Sequence, residues 1–121
     1  MKKKKTLVLG ASPNPSRYSY LAINRLINNQ NPVVAVGKRK GDVAGINIDT
    51  EKIDFKDVDT VTLYLNPANQ KEYYDYIVSL HPKRIIFNPG TENDELTEIA
   101  IQNGILPQEA CTLVLLSTGQ Y

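Results

Sequence analysis

The sequence predicts an α/β domain in which helices cover both faces of a doubly wound parallel sheet of about five strands. Short apolar runs alternate along the chain with segments whose apolar residues recur at helical spacing. Continuous apolar runs bounded by turn residues are typical of parallel strands buried on both faces. Because the connections are short, each helix must pack back against the sheet through a right-handed crossover.

The elements follow from apolar spacing and from the residues that interrupt it. Strands are predicted at residues 7–10, 32–36, 60–65, 84–87 and 105–107. Helices are predicted at residues 18–29, 67–80 and 93–103. Pro107 favours an edge position for the last strand. Residues 43–59 are expected to be irregular, with a possible short extension at 45–48, and the run 112–116 fits either a helix or a strand.

Length and charge limit the classes of function. The 121 residues fit one domain, residues 1–121, of which residues 1–5 form a basic, solvated N-terminal tail. The hydrophobic fraction of 41% is ordinary for a globular protein. A formal net charge of +1 gives no general field that would hold nucleic acid or an anionic membrane. We therefore expect neither partner, and any anion must be bound locally.

The chain carries no recognisable export signal. The apolar stretch after the lysines of residues 2–5 is cut off by Gly10, which makes it too short for a signal peptide. No window approaches the ~20 apolar residues of a membrane span. The single cysteine, Cys111, excludes an internal disulfide. These features favour a cytoplasmic protein.

The predicted site lies at the carboxyl ends of the strands, where open parallel sheets bind their ligands. Gly10, Gly37, Asn66 and Asn88 stand at these ends, and glycine and asparagine both favour tight turns. After Asn88, the turn residues Pro89 and Gly90 are candidates for ligand contact. A purely structural turn before a helix cap explains the same residues.

The first loop, residues 10–17, occupies the place of the phosphate-binding loop in Rossmann-type domains. It departs from the G-x-G-x-x-G pattern, because Ser12 and Pro15 replace the second and third glycines. We expect backbone amides around Ala11 and the Ser12 hydroxyl to face an anion, with Arg17 clamping a diphosphate. The alternative is a proline-stiffened connection whose arginine faces solvent.

The loop after the second strand is basic. NAD-binding domains place Asp or Glu here to accept the ribose hydroxyls, whereas this chain has Gly37 followed by Lys38, Arg39 and Lys40. These cations favour a nucleotide with an extra ribose phosphate, such as NADP or coenzyme A. A solvated surface loop is the alternative.

The candidates for chemistry are few. Cys111 has no second cysteine or neighbouring histidine in the sequence, and His81 lies at the opposite end of the strands. Neither a metal site nor an activated nucleophile is indicated, so we expect no catalytic residues and no enzyme activity.

Markers along residues 7–115 resemble the small stand-alone coenzyme A-binding proteins. That family shares a Rossmann-like domain with the succinyl-CoA synthetase alpha subunit and the ADP-forming acyl-CoA synthetases. The markers, taken in order, are Gly10-Ala11-Ser12-Pro13, Arg17, Ser19, Gly45, Asp59, Gly90 with Glu92-Asn93, Gly104 and Cys111. The resemblance implies coenzyme A as ligand, with its diphosphate on the first loop and its adenosine near the second.

Two positions depart from the family pattern. Val36-Gly37-Lys38 stands where Val-Asn-Pro is usual, and Asn31-Pro32 replaces the usual Gly-Tyr. The sequence therefore supports a non-catalytic coenzyme A or acyl-CoA binding module, acting alone, as a homo-oligomer or with a protein partner. Its alternatives are a small NADP-binding oxidoreductase-like domain and an interaction domain without a ligand.

Overall fold

The computed structural model describes residues 3–121 and places a seven-stranded sheet at the centre of the protein. In chain order the strands are β1 (Thr6–Leu9), β2 (Val33–Val36), β3 (Gly41–Val43), β4 (Ile46–Asp49), β5 (Thr60–Leu63), β6 (Arg84–Phe87) and β7 (Leu106–Glu109). Their order across the sheet is β3-β4-β2-β1-β5-β6-β7. Only the β3–β4 pair is antiparallel among the strand pairs of residues 3–121. From β1 the chain builds the sheet outward on one side through β2 and β4, and then returns to build the other side through β5, β6 and β7. The switch point of the sheet therefore lies between β1 and β5.

Alternate residues of a strand point to opposite sides of the sheet, so strands that are apolar throughout need cover on both faces, and helices provide it. They are α1 (Tyr18–Asn28), α2 (Pro67–Gln70), α3 (Tyr74–Leu80), α4 (Asp94–Gln102) and α5 (Thr112–Ser117), with a 3-10 turn at Lys71–Tyr73. Leu7 and Leu9 pack in the cluster with α3 and α4. Val8 packs on the other face with residues of α1 and α5. The predicted doubly wound α/β fold is confirmed.

The strand count differs from the prediction of about five. Residues 43–59 were expected to be irregular apart from a short extension at 45–48, and β4 lies at that extension. β3, which was not predicted, begins at Gly41, directly after Lys40 of the basic loop. The two form a hairpin beside β2, with Val43 paired to Ile46. Strands of three and four residues without an apolar run leave little periodicity in the sequence. The hairpin gives the β2 side of the sheet an antiparallel edge.

Three further elements bear on the predictions. The helix expected over residues 67–80 is interrupted by the 3-10 turn, in which residues three apart lie on one side, so Gln70 and Tyr73 are both buried. The ambiguous run 112–116 is helical. β7 is an edge strand, as Pro107 indicated.

The basic N-terminal segment is partly tied to the domain. Met1 and Lys2 lie outside the described residues. Lys4 and Lys5 are half-buried, and the Lys5 ammonium donates to the Lys56 carbonyl at 2.7 Å. These two lysines are thus part of the folded structure. Over residues 3–121, no helix has the length and apolar character needed to cross a membrane.

The first loop lies directly against the ends of its neighbouring strands. A Cβ atom on Gly37 would lie 2.0 Å from the Ala11 carbonyl oxygen, and one on Gly10 would lie 2.8 Å from the Tyr64 carbonyl carbon. The amides of Gly10 and Ala11 both donate to the Val36 carbonyl, at 2.9 and 3.0 Å. Main chain therefore contacts main chain here, and glycine is required at both positions.

The β3–β4 turn offers a test of the backbone assignment. Ala44 and Gly45 have φ values of +53° and +81°, the conformation of a type I′ turn, which favours Asn before Gly. Ala44 is exposed, so its replacement changes no core contact. We expect Ala44→Asn to raise Tm by about 2 to 5 °C, because Asn tolerates the left-handed region better than Ala. Thermal unfolding followed by circular dichroism measures the shift.

The control is Ala44→Val, which places a β-branched side chain in the same strained conformation and should lower Tm. Equal Tm values for the three proteins would contradict the turn assignment.

Candidate functional site

A cleft of about 510 Å³ crosses the carboxyl ends of β2, β1, β5 and β6. It therefore lies over the switch point between β1 and β5, where this class of sheet binds ligands. Three spacings between adjacent strands give it a length of roughly 14 Å along the sheet edge. The volume is within the range of about 300–1,000 Å³ that small-molecule sites occupy.

Ten of the eleven predicted site residues line this cleft. They are Gly10, Ala11, Ser12, Arg17, Gly37, Lys38, Arg39, Asn66, Pro89 and Gly90. Asn66 also caps α2 by accepting from the Asn69 amide at 2.9 Å. That bond uses its carbonyl oxygen and leaves its amino group free to donate into the cleft.

Asn88 does not line the cleft, contrary to the sequence prediction. Its side chain is buried and donates to the Thr62 hydroxyl at 2.7 Å and the Leu63 carbonyl at 2.8 Å. Its carbonyl oxygen accepts from the Thr112 amide at 2.9 Å. Asn88 thus joins the ends of β5 and β6 to the start of α5, because a buried amide must satisfy both its donors and its acceptor inside the protein.

The first loop uses its own amides internally, which differs from the expectation that they would face an anion. Ser12 N donates to the Ser19 hydroxyl and Asn14 N to the Ser12 hydroxyl, both at 3.1 Å. Ser16 N and Arg17 N donate to Asn14 at 3.0 Å. Prolines at the remaining two positions have no N–H group. The loop amides are consequently unavailable to a ligand.

The remaining donors gather at the start of α1. Within residues 3–121, the amides of Tyr18 and Ser19 have no hydrogen-bond partner, and no side chain caps the helix. The Ser12 hydroxyl accepts one bond, so its proton is free to donate outward. With the exposed Arg17 beside them, these groups make a site suited to an anion.

Charge is distributed unevenly along the cleft. Arg17, Lys38 and Arg39 are exposed on its rim over the β1 and β2 side, and no lining residue is Asp or Glu. The β5 and β6 side is lined by uncharged groups, among them Asn66 and Thr91. The cleft is therefore cationic at one end and neutral but polar at the other.

Sequence reasoning missed several lining residues of the neutral end, notably Tyr64, Leu65, Asn69, Tyr73 and Thr91. Tyr64 and Leu65 were placed in the third predicted strand, but β5 ends at Leu63. Burial raises the pKa of the Tyr64 phenol well above its usual value, which strengthens its preference for the neutral form. It can contribute an apolar ring and a neutral hydroxyl.

The single cysteine and the single histidine of the chain both lie outside the cleft. Cys111 is half-buried and follows β7, whereas His81 ends α3 in a left-handed conformation. Neither lines the cleft. Over residues 3–121, no group of three or more His, Cys, Asp or Glu residues is arranged to hold a metal ion.

Comparison with solved structures supports this architecture. The chain is similar to a crystal structure of an uncharacterized protein, with 54% identity, a TM-score of 0.97 and 100% coverage of both chains. A hypothetical protein from Pyrococcus horikoshii OT3 shares 24% identity with a TM-score of 0.87, over 97% of this chain and 84% of that one. This second likeness shows the fold alone.

A dinucleotide-forming acetyl-coenzyme A synthetase from Ca. Korarchaeum cryptofilum contains a similar fold. The two sequences are 16% identical and the TM-score is 0.72, and the match covers 86% of this chain and 25% of the synthetase chain. No curated protein matches the chain. The model of the CoA binding domain family matches residues 4–117, which is nearly the whole length. The chain therefore belongs to the CoA binding domain family.

Proposed function

We propose that this protein binds coenzyme A or an acyl-CoA in the cleft and does not turn it over. The observation that carries the proposal is the uneven charge of a cleft that crosses four strand ends, in a chain of the CoA binding domain family. Coenzyme A has the matching asymmetry, because all its phosphates lie at the adenosine end and the pantetheine arm is neutral. The arm's amide groups suit the polar, uncharged residues over β5 and β6.

The diphosphate is assigned to the start of α1. Here the unpaired amides of Tyr18 and Ser19, the Ser12 hydroxyl and the Arg17 guanidinium belong to residues that line the cleft. A helix N-terminus favours negative charge, and Arg can bond two phosphate oxygens with its planar fork. The binding is thus carried by the helix and side chains, since the first loop has no free amides.

The 3′-phosphate of the ribose is assigned to Lys38 and Arg39. Both follow β2, and their exposure lets them meet an anion at the cationic end of the cleft. A carboxylate that would accept the ribose hydroxyls of NAD is absent among the lining residues. This arrangement favours a ligand with a phosphorylated ribose.

Ligand binding and its dependence on Arg17 test the proposal. At about 100 times its dissociation constant, coenzyme A should stabilise the fold by ~2.7 kcal/mol, a Tm increase of several degrees. We expect no comparable shift with NAD or NADP. Arg17→Ala should weaken coenzyme A binding by about 1.5 to 3 kcal/mol, as measured by calorimetry, because a charge-assisted hydrogen bond is lost.

The matched control is Arg25→Ala, which removes the same charge from an exposed position near the other end of α1. Its affinity should equal that of the unmodified protein. A Tm shift with NADP alone would favour the oxidoreductase-like alternative, and no shift with any nucleotide would favour an interaction domain. If the Arg17→Ala and Arg25→Ala variants bound coenzyme A equally well, Arg17 would not contribute to binding.

Dephospho-CoA, which lacks only the 3′-phosphate, tests the role of the basic loop. It should bind more weakly than coenzyme A by about 1.5 to 3 kcal/mol. In the variant with Lys38→Ala and Arg39→Ala the difference should nearly disappear. Because both side chains are exposed, the difference should also shrink at high salt, where the screening length falls below the ~8 Å of physiological ionic strength. Calorimetry at two salt concentrations measures this.

Arg25→Ala combined with Lys56→Ala is the control, since it removes two exposed charges that do not line the cleft. It should retain the preference for coenzyme A. If the unmodified protein bound both ligands equally, the assignment of the 3′-phosphate would fail.

Binding without turnover is expected because no activated nucleophile lies at the cleft. Cys111 does not line the cleft, and His81 follows α3 at the amino ends of the strands, opposite the cleft. Purified protein should therefore release thiol from acetyl-CoA at the rate of buffer alone, measured with a thiol-reactive dye. Cys111→Ser, which keeps the size of the side chain, should give the same rate. A faster rate that this substitution abolishes would show catalysis.

A further inference from the structure

Gln70 is a fully buried amide that joins two walls of the cleft. Its amino group donates to the Leu65 carbonyl and to the Thr91 carbonyl, both at 2.8 Å. Its carbonyl oxygen accepts from the Asn93 amino group at 2.9 Å. Both donors and the acceptor are thus used inside the protein, which fixes the rotamer of the side chain.

The two carbonyl acceptors belong to segments that face the ligand. Leu65 follows β5 and Thr91 follows β6, and both line the neutral end of the cleft. Within residues 3–121, no hydrogen bond other than those of Gln70 joins residues 64–66 to residues 89–91. Beyond the strand ends, which Asn88 joins, Gln70 is therefore the side chain that bridges these two segments.

Asn93 extends this connection to α4. Its carbonyl oxygen accepts from the amides of Glu95 and Leu96, and its amino group also donates to the Tyr74 hydroxyl at 2.9 Å. The start of α4, the start of α3 and the two walls are consequently linked through buried or half-buried amides. Such a connected network specifies a single arrangement, because each broken bond leaves a polar group unsatisfied.

We propose that Gln70 is a positioning residue that sets the width of the neutral end of the cleft for the pantetheine arm of the ligand. The proposal rests on coenzyme A binding as proposed above. Gln70 itself does not line the cleft and acts through the Leu65 and Thr91 segments. Its loss should affect the arm and leave the phosphate groups bound as before, since these lie over β1 and β2.

The test compares coenzyme A with adenosine 3′,5′-bisphosphate, which has the phosphorylated nucleoside but no pantetheine arm. Gln70→Met keeps the length of the side chain and removes all three hydrogen bonds. We expect the dissociation constant of this variant for coenzyme A to rise about tenfold, because displaced walls would cost the arm one or two of its own net hydrogen bonds to the cleft. The dissociation constant for the bisphosphate should stay within about twofold of the original.

The matched control is Arg84→Met. Arg84 is also buried and makes three hydrogen bonds. It is the first residue of β6, so it lies at the amino ends of the strands, away from the cleft. It controls for a general loss of stability and should change neither dissociation constant. Equal weakening of both ligands by Gln70→Met, or no weakening of either, would overturn the positioning role. If the unmodified protein binds neither ligand, the proposed function fails instead.

Gln70→Glu provides a second readout should the methionine variant not fold. A protonated glutamic acid keeps the shape of the side chain and donates one hydrogen bond to a wall carbonyl, whereas the carboxylate repels both carbonyls. Coenzyme A should therefore bind this variant more weakly as the pH rises, with no matching change for the bisphosphate beyond that of the unmodified protein. A coenzyme A affinity that follows the unmodified protein at every pH would also overturn the proposal.

Discussion

Close main-chain packing around Gly37 and Gly10 holds the first strand–helix loop against the ends of β2 and β5. Side chains are excluded at both points, because an added Cβ would overlap the Ala11 oxygen or the Tyr64 backbone. The start of α1 is thereby brought to the switch point of the sheet, and the basic loop after β2 lies beside it. Without this contact the cationic groups would not share one cleft.

The first loop also differs from a glycine-rich phosphate loop in how its amides are used. Three of its backbone amides donate to the side chains of Ser12, Asn14 and Ser19, and carbonyl groups accept from the others, which restricts the conformations open to the loop. A rigid loop loses little conformational entropy when a ligand binds. The free donors lie instead at the uncapped start of α1 and on Arg17, and under the proposed function these atoms would take the place of the motif's amides.

Sequence reasoning located the strands that carry apolar runs, because a buried parallel strand has a strong and local signal. β6 was predicted with its observed bounds, whereas the β3–β4 hairpin was not, since its pairing with β2 is long-range and its strands are short. Glycine at a strand end and a run of basic residues are visible in the sequence, so residues such as Gly37 and Arg39, which line the cleft, could be named in advance. Gln70 could not, because an amide on a predicted helix is ordinarily exposed.

Asn88 shows the opposite case, in which the position was predicted and the role was not. A polar residue at a strand end either faces the ligand or satisfies the backbone beneath it, and the sequence does not distinguish these. The structure shows that Asn88 makes three buried hydrogen bonds below the cleft. With Gln70, it stiffens the β5 and β6 side through buried amides.

The two ends of the cleft therefore depend on different physics. The cationic end is built from exposed side chains, whose attraction is long-range and is screened by salt. The neutral end is held by buried hydrogen bonds, which salt affects little and which tolerate few changes of shape. On the function proposed above, coenzyme A would use both ends: attraction to its phosphates would bring it to the cleft, and the fit of its arm would decide how long it stays.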